Sequence, residues 1–376
     1  MRKTLLCIGL LFISICALAQ YKISFVINHL PSYHNSSKQI YLVGSFNNWN
    51  PHDEKLQLKT LGGKHGITIE LGKGMYEYKF TEGSWENVES LDRGVPTQNR
   101  KIVVEGDTTI NVDIQEWADH FPQKEKVSTA SKNVHIVDEA FYIPQLDRHR
   151  RVWIYLPESY GTSKRKYPVL YMQDGQNVFD EATSAYGEWG VDEALDSLGK
   201  QHKEIIVVAI DNGGDKRMNE YSPYDMERYG KAEGDHYVDF MVQTLKPYID
   251  KHYRTLKDEK NTFVAGSSMG GLISFYAILK YPKVFGGAGV FSPSFWIAPQ
   301  LKHIDPENAK KVKGKIYFYV GQQEGETMVP DMLNVFEQMR QNSKARMKTV
   351  IRAEGKHNEP SWRNEFPLFY KWILPN

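Results

Sequence analysis

The chain has 376 residues, 41% of them apolar and 25% charged. That balance is the globular one and excludes a disordered, collagenous or coiled-coil chain. Lys and Arg number 47 against 46 Asp and Glu, a net charge of +1, which leaves no electrostatic footprint for nucleic acid or an anionic membrane surface. The length predicts two domains more readily than one.

The first segment reads as a targeting signal. Arg2 and Lys3 precede an apolar run over residues 4–18, which ends Ala17-Leu18-Ala19-Gln20. A charged start, an apolar stretch and an A-x-A site predict a signal peptide (residues 1–19) cut after Ala19, hence a secreted or periplasmic protein. Polar Gln20 and Lys22 follow too soon for a membrane span. Cleavage would remove both cysteines, Cys7 and Cys16, so disulfides, cysteine nucleophiles and cysteine-ligated metals drop out of the mature chain.

Residues 20–115 carry short strand-like runs at 21–27, 39–46, 56–61, 66–71, 76–81, 101–104 and 108–114, separated by Asn47-Asn48, Gly62-Gly63, Glu82-Gly83 and Gly106-Asp107. Strands at that spacing without helical period predict an antiparallel β-sandwich. Residues 116–133 are polar and aperiodic and read as a linker. From 134 to 376, apolar strand runs at 152–156, 169–172, 205–210, 262–265, 287–291, 316–320 and 348–352 alternate with helical stretches at 190–199, 235–248, 269–281, 330–341 and 362–374. Alternation of this kind predicts an α/β domain with a mostly parallel sheet, its ligands at the carboxyl ends of the strands.

One motif carries chemistry. Gly266-Ser267-Ser268-Met269-Gly270 is a G-x-S-x-G between a predicted strand and a predicted helix, the setting in which the serine is held exposed on a sharp turn. A serine hydroxyl needs a base to take its proton and an acid to orient that base, in the chain order serine, acid, histidine. Only His303 and His357 follow Ser268, and no acid lies between Ser268 and His303. His357 is therefore the candidate base. The acid should lie just past a strand end, which admits Glu324 and Glu326, with Glu324 favoured. The oxyanion donors expected are the amides of Met269 and of Gln176, the latter beside Gly175 in Met172-Gln173-Asp174-Gly175-Gln176-Asn177.

These segments, with Phe291-Ser292-Pro293-Ser294-Phe295-Trp296, Gly321-Gln322-Gln323-Glu324 and His357-Asn358-Glu359, resemble the esterase D branch of the α/β-hydrolases, which includes feruloyl, acetyl-xylan and siderophore esterases. The resemblance implies an α/β-hydrolase fold behind an immunoglobulin-like sandwich. It implies Glu324 as the acid, although Asp is frequent in the family at that place. It also implies Gln176 as oxyanion donor, Asp174 and Trp296 at the substrate, and Asp211, Arg217 and Tyr221 near the site. Within residues 35–105, Tyr41-Leu42-Val43-Gly44-Ser45-Phe46-Asn47-Asn48-Trp49-Asn50-Pro51 and Tyr76-Glu77-Tyr78-Lys79-Phe80 resemble the glycogen-binding module of AMP-activated kinase β subunits, which places sugar contacts at Trp49, Lys79, Trp85 and Asn99.

The expectation is a secreted serine carboxylesterase acting on an acylated oligo- or polysaccharide, as feruloyl and acetyl-xylan esterases do. It needs no cofactor or metal; H-E-x-x-H spacing is absent from the sequence. The alternatives are a catecholate-lactone (siderophore) esterase and a glycan-binding protein with a degenerate hydrolase domain.

Overall fold

A computed structural model describes residues 20–374 apart from 48, 62, 96, 122–125, 200 and 228, and residue 61 without its side chain. The segment expected to be a signal, with Cys7, Cys16 and Ala19, lies outside the described residues. The chain forms two compact units, Met1–Lys124 and Glu125–Asn376.

The first unit is β-rich. Its strands are β1 (Gln20–His29), β2 (Tyr41–Gly44), β3 (Lys59–Leu61), β4 (Lys64–Gly72), β5 (Gly74–Thr81), β6 (Glu89–Ser90), β7 (Arg100–Val104), β8 (Thr108–Asp113) and β9 (Glu116–Trp117). They pair as β3-β4-β1-β8, β2-β5-β7 and β6-β9. Pairing is antiparallel except between β1 and β8, which run parallel. Alternate residues Ile23, Phe25 and Ile27 of β1 point inward and pack with Leu42, Tyr78, Phe80, Val104 and Trp117. Two runs are shorter than expected. The run at 39–46 keeps only β2, because Asn47 Oδ1 accepts the Gly44 amide at 2.9 Å and turns the chain. Asp53 caps a single helical turn, Glu54–Leu56, at the start of the run at 56–61. Of the expected linker 116–133, residues 116–120 form β9 and a single helical turn, Ala118–His120, while 126–131 adopt no helix or strand. Trp117 is buried in the first core, whereas Thr129 and Ser131 bond through their amides to Asp180 and to Asp192, in the first turn of the helix Val191–Leu198, within the second unit. Polar residues that find partners are indistinguishable from linker by composition alone.

The second unit contains β10 (Val134–Ile143), β11 (Arg148–Tyr155), β12 (Val169–Gln173), β13 (Ile206–Ile210), β14 (Thr262–Ser267), β15 (Gly287–Phe291), β16 (Lys315–Gly321) and β17 (Arg346–Arg352). Its helices are α1 (Val191–Leu198), α2 (Arg217–Glu220), α3 (Gly234–Phe240), α4 (Lys246–His252), α5 (Met269–Lys280), α6 (Pro306–Ala309), α7 (Met328–Asn342) and α8 (Glu359–Ile373). The sheet order is β10-β11-β13-β12-β14-β15-β16-β17, parallel from β13 to β17. This is the order expected of an α/β-hydrolase. Strand period sorts the sheet into two cores. Val169, Tyr171, Val264 and Val290 pack on one face with Leu272 and Phe275 of α5. Leu170, Met172, Ala265 and Phe291 pack on the other with Leu195 of α1 and Phe366 and Phe369 of α8.

Two elements differ from expectation. The edge strand β10 is mostly exposed, its apolar residues are interrupted by His135 and by Asp138-Glu139, and it makes two register shifts against β11, so it lacks the continuous buried-strand signature. The single helix expected at 235–248 is α3 and α4 joined by a π turn, Met241–Leu245. Pro247, in the first turn of α4, has no amide for the ladder and crowds the carbonyl four residues back, which favours the wider turn. No described helix is long and apolar enough to cross a membrane.

Candidate active site

The chain runs from β12 to β13 on one side and returns to β14 on the other, so strand order reverses between β12 and β14. Such a switch point opens a crevice at the carboxyl ends of the strands. Ser268 follows β14 there, Asp174 follows β12, Ser292 follows β15 and Glu324 follows β16.

Ser268 has φ 58° and ψ −121°, a conformation that a side chain makes costly and that packing must enforce. A Cβ at Gly266 would lie 2.7 Å from the backbone of Gly270, so the elbow closes only on glycine. The Ser268 amide donates to the Phe291 carbonyl at 2.9 Å, tying the elbow to the end of β15. Met269 opens α5, and no described hydrogen bond uses its amide. The Gln176 amide is likewise without an acceptor among the described hydrogen bonds. Its turn packs so tightly that a Cβ at Gly175 would sit 2.8 Å from the Asp211 amide. Among the described residues, both amides are thus without an acceptor.

His357 Nδ1 donates to Glu324 Oε2 at 2.9 Å, which leaves Nε2 as the basic nitrogen. Glu324 has no exposed side-chain surface, whereas Glu326 is exposed. Glu324 Oε1 accepts from the Gly321 amide and from Ser292 Oγ at 2.7 Å; Ser292 Oγ in turn accepts from Trp362 Nε1 at 2.8 Å. The Trp362 ring meets the His357 imidazole edge-on at 5.2 Å. The acid and the imidazole are thus both fixed. Ser268 Oγ lies 3.1 Å from Ser294 Oγ, and no hydrogen bond joins it to His357 among the described residues.

The loops beside the elbow hold a charged cluster. Asp174, itself at φ 56°, accepts from Arg217 Nε at 2.6 Å, Arg217 Nη2 at 2.8 Å and Asn212 Nδ2 at 2.7 Å. Its carboxylate is therefore engaged within the protein, and Arg217 lies above the buried Tyr221 ring. Asp211 faces away from this pair, accepting from Trp153 Nε1 and Arg151, and burial raises its carboxyl above the usual range. Trp296 is 54% exposed, which rules out a core role and suits a wall. Glu359 is buried and has no cation paired with it among the described residues, with Asn177 Nδ2 at 3.5 Å. Burial raises its carboxyl to about 7, with Asp174 adding to the rise and His357 and Arg217 opposing it. Ser292, Ser294, Asn212, Glu359 and Trp362 carried no assigned role in the sequence. The only signal for the serines was their place in the segment after β15.

In the first unit, Trp49 and Trp85 come together with ring centroids 6.2 Å apart, and Trp85 is exposed. Lys79 and Asn99 are committed elsewhere: Lys79 Nζ donates to Thr97, and Asn99 Nδ2 donates to Glu77 at 3.0 Å.

The Esterase family model matches residues 143–369. The chain belongs to this esterase family. Membership makes the protein a carboxylic ester hydrolase, and a second match, to the glycogen recognition site of AMP-activated protein kinase, covers residues 29–104 of the esterase. Among curated relatives, YbbA of Bacillus subtilis is 28% identical over 207 residues, 52% of this chain and 78% of that one. The endo-1,4-beta-xylanase/feruloyl esterase of Xylanibacter ruminicola is 29% identical over 175 residues, 45% of the esterase but 22% of that relative's length. Among solved structures, the enterobactin esterase of Shigella flexneri aligns with TM-score 0.52 at 16% identity, over 94% of this chain and 91% of that one, a likeness of fold.

Proposed function

We propose that the esterase is an exported serine hydrolase that removes acyl groups from plant oligo- or polysaccharide, as feruloyl and acetyl-xylan esterases do, through Ser268, His357 and Glu324. The observation that carries this reading is the buried Glu324 bonded to His357 Nδ1, on loops at the same strand ends as the strained Ser268 elbow. In the reaction, the Ser268 hydroxyl turns to His357, whose Nε2 takes its proton as Oγ attacks the ester carbonyl. Such bonds often tighten only with substrate bound. The amides of Met269 and Gln176 would receive the oxyanion, each worth about 2.7–4 kcal/mol. His357 then protonates the leaving alcohol, and water activated by the same imidazole releases the acid from Ser268.

Arg217, oriented by Asp174, and exposed Trp296 would contact the substrate. In this reading the first unit is an immunoglobulin-like carbohydrate module in which the Trp49 and Trp85 faces stack on a sugar ring. The stretch over residues 1–19 would direct export.

Purified protein should release ferulate or acetate from esterified xylan, and Ser268→Ala should lower kcat on the order of 10⁴-fold or more. Equal release by both proteins would end the mechanism. The similarity of fold to the enterobactin esterase over both units supports a second reading, hydrolysis of a catecholate trilactone. Comparing kcat/KM on a feruloyl oligosaccharide and on a catecholate trilactone decides between them. Failure to cleave p-nitrophenyl acetate would favour a non-catalytic glycan binder.

A further inference from the structure

The loop leaving β15 touches both ends of the catalytic set. Ser292, at φ 44°, hydrogen-bonds the acid Glu324. Two residues on, Ser294 returns to the nucleophile. The backbone pins it there: the Ser268 amide donates to Phe291 O at 2.9 Å, and the Ser294 amide donates to Ser268 O at 3.2 Å. Pro293 stiffens the link between them. Ser294 is only 3% exposed, and the one side-chain hydrogen bond it makes among the described residues is with Ser268 Oγ, at 3.1 Å. Burying a hydroxyl is unfavourable unless it finds a partner, and alanine would fill the place without that cost. The only described return on this hydroxyl is its contact with the nucleophile.

We propose that Ser294 is a positioning residue for the Ser268 nucleophile, holding its hydroxyl in the resting enzyme and donating a hydrogen bond into its oxygen while His357 withdraws the proton. At rest, either hydroxyl can be the donor. During acylation, the Ser268 proton passes to His357 Nε2, and the Ser294 O–H stays intact and points its hydrogen at the Ser268 oxygen as negative charge gathers there. Hydrogen bonds to charged oxygen are stronger than those to neutral oxygen, so the contact strengthens as the barrier is climbed. Once Oγ is an ester oxygen, a poor acceptor, the contact weakens again. When deacylation returns the proton, Ser294 resumes its first partner. As Oγ leaves in deacylation the same charge gathers on it, so the contact assists both half-reactions, and labelling by the probe and the burst read its part in acylation.

This inference rests on the serine-nucleophile reading, and the experiment separates the two. Full-length protein, Ser268→Ala, Ser294→Ala and Ser294→Thr are reacted with a fluorophosphonate probe between pH 5 and 9, and the p-nitrophenyl acetate burst is measured with KM and melting temperature. Labelling of the unaltered protein that Ser268→Ala abolishes establishes the nucleophile. Ser294→Ala should then label about tenfold more slowly, with its pH profile displaced upward and KM within about twofold of the unaltered value. Ser294→Thr, which keeps the hydroxyl, should recover most of the rate. If the probe labels the unaltered protein and Ser294→Ala equally fast, Ser294 has no such role although the nucleophile stands. An equal loss in both Ser294 variants with lowered melting temperature and an unshifted pH profile overturns it as well, because it marks a packing role. If the unaltered protein is not labelled, the nucleophile reading falls first and takes this inference with it.

Discussion

Glu324 and Glu326 are two positions apart, yet only Glu324 has its carboxylate buried and bonded to His357. What fixes Glu324 is a relay that no spacing rule contains: Trp362 Nε1 to Ser292 Oγ to Glu324 Oε1. Ser292→Ala would leave the buried Trp362 donor unpaired and loosen the acid, a cost of about 1–3 kcal/mol in stability. With it, kcat on p-nitrophenyl acetate should fall roughly tenfold, read from the kinetics and from urea unfolding; unchanged values would show the relay idle. Glu359 gives a pH prediction. Its carboxyl is raised from its ordinary value of 4.5 to about 7, chiefly by burial, so the folded state holds a proton that the unfolded state has lost across that window. Stability should therefore fall as pH rises from about 4.5 to 7, and the penalty is complete above 7, on the order of 3 kcal/mol. Glu359→Gln should flatten that slope in unfolding experiments at pH 5, 6, 7 and 8. An unaltered slope would place the titration on another group.

The elbow is a property of the β14–α5 element, not of its serine. Gly266 faces the Gly270 backbone, so Gly266→Ala pushes the strand end from the helix start. The expected cost is about 1–3 kcal/mol with a larger loss of activity, because Ser268 is displaced; circular dichroism melting and ester turnover measure the two together. An alanine variant with full turnover would mean the turn has slack that the 2.7 Å approach denies. The buried parallel strands were legible because burial on both faces forces continuous apolar runs, and β15 appears at the expected residues, Gly287–Phe291. β10 was not legible, since an exposed edge strand needs no such run, and neither was the π turn, which arises where Pro247 meets a helix already packed against the sheet.

At the scale of the molecule, the proposed function assigns the two units separate chemistries. Double substitution Trp49→Ala and Trp85→Ala removes the aromatic pair of the first unit, and retention on insoluble glycan should drop several-fold. Turnover of a small aryl ester by the same protein serves as its internal reference. Retention equal to that of the unaltered chain would make the pair structural. The amino-acid order alone determined the kinds of element, the serine elbow and the single histidine with an acid ahead of it, because periodicity, glycine and chain order are local or one-dimensional facts. Tertiary structure alone decided that Asp174 is engaged by Arg217 and Asn212, that Lys79 and Asn99 are bonded to Thr97 and Glu77, and that Ser292 and Ser294 reach Glu324 and Ser268. Those are contacts between segments far apart in sequence. A side chain's partner is fixed by which strand ends lie side by side, and that is set only when the sheet is assembled.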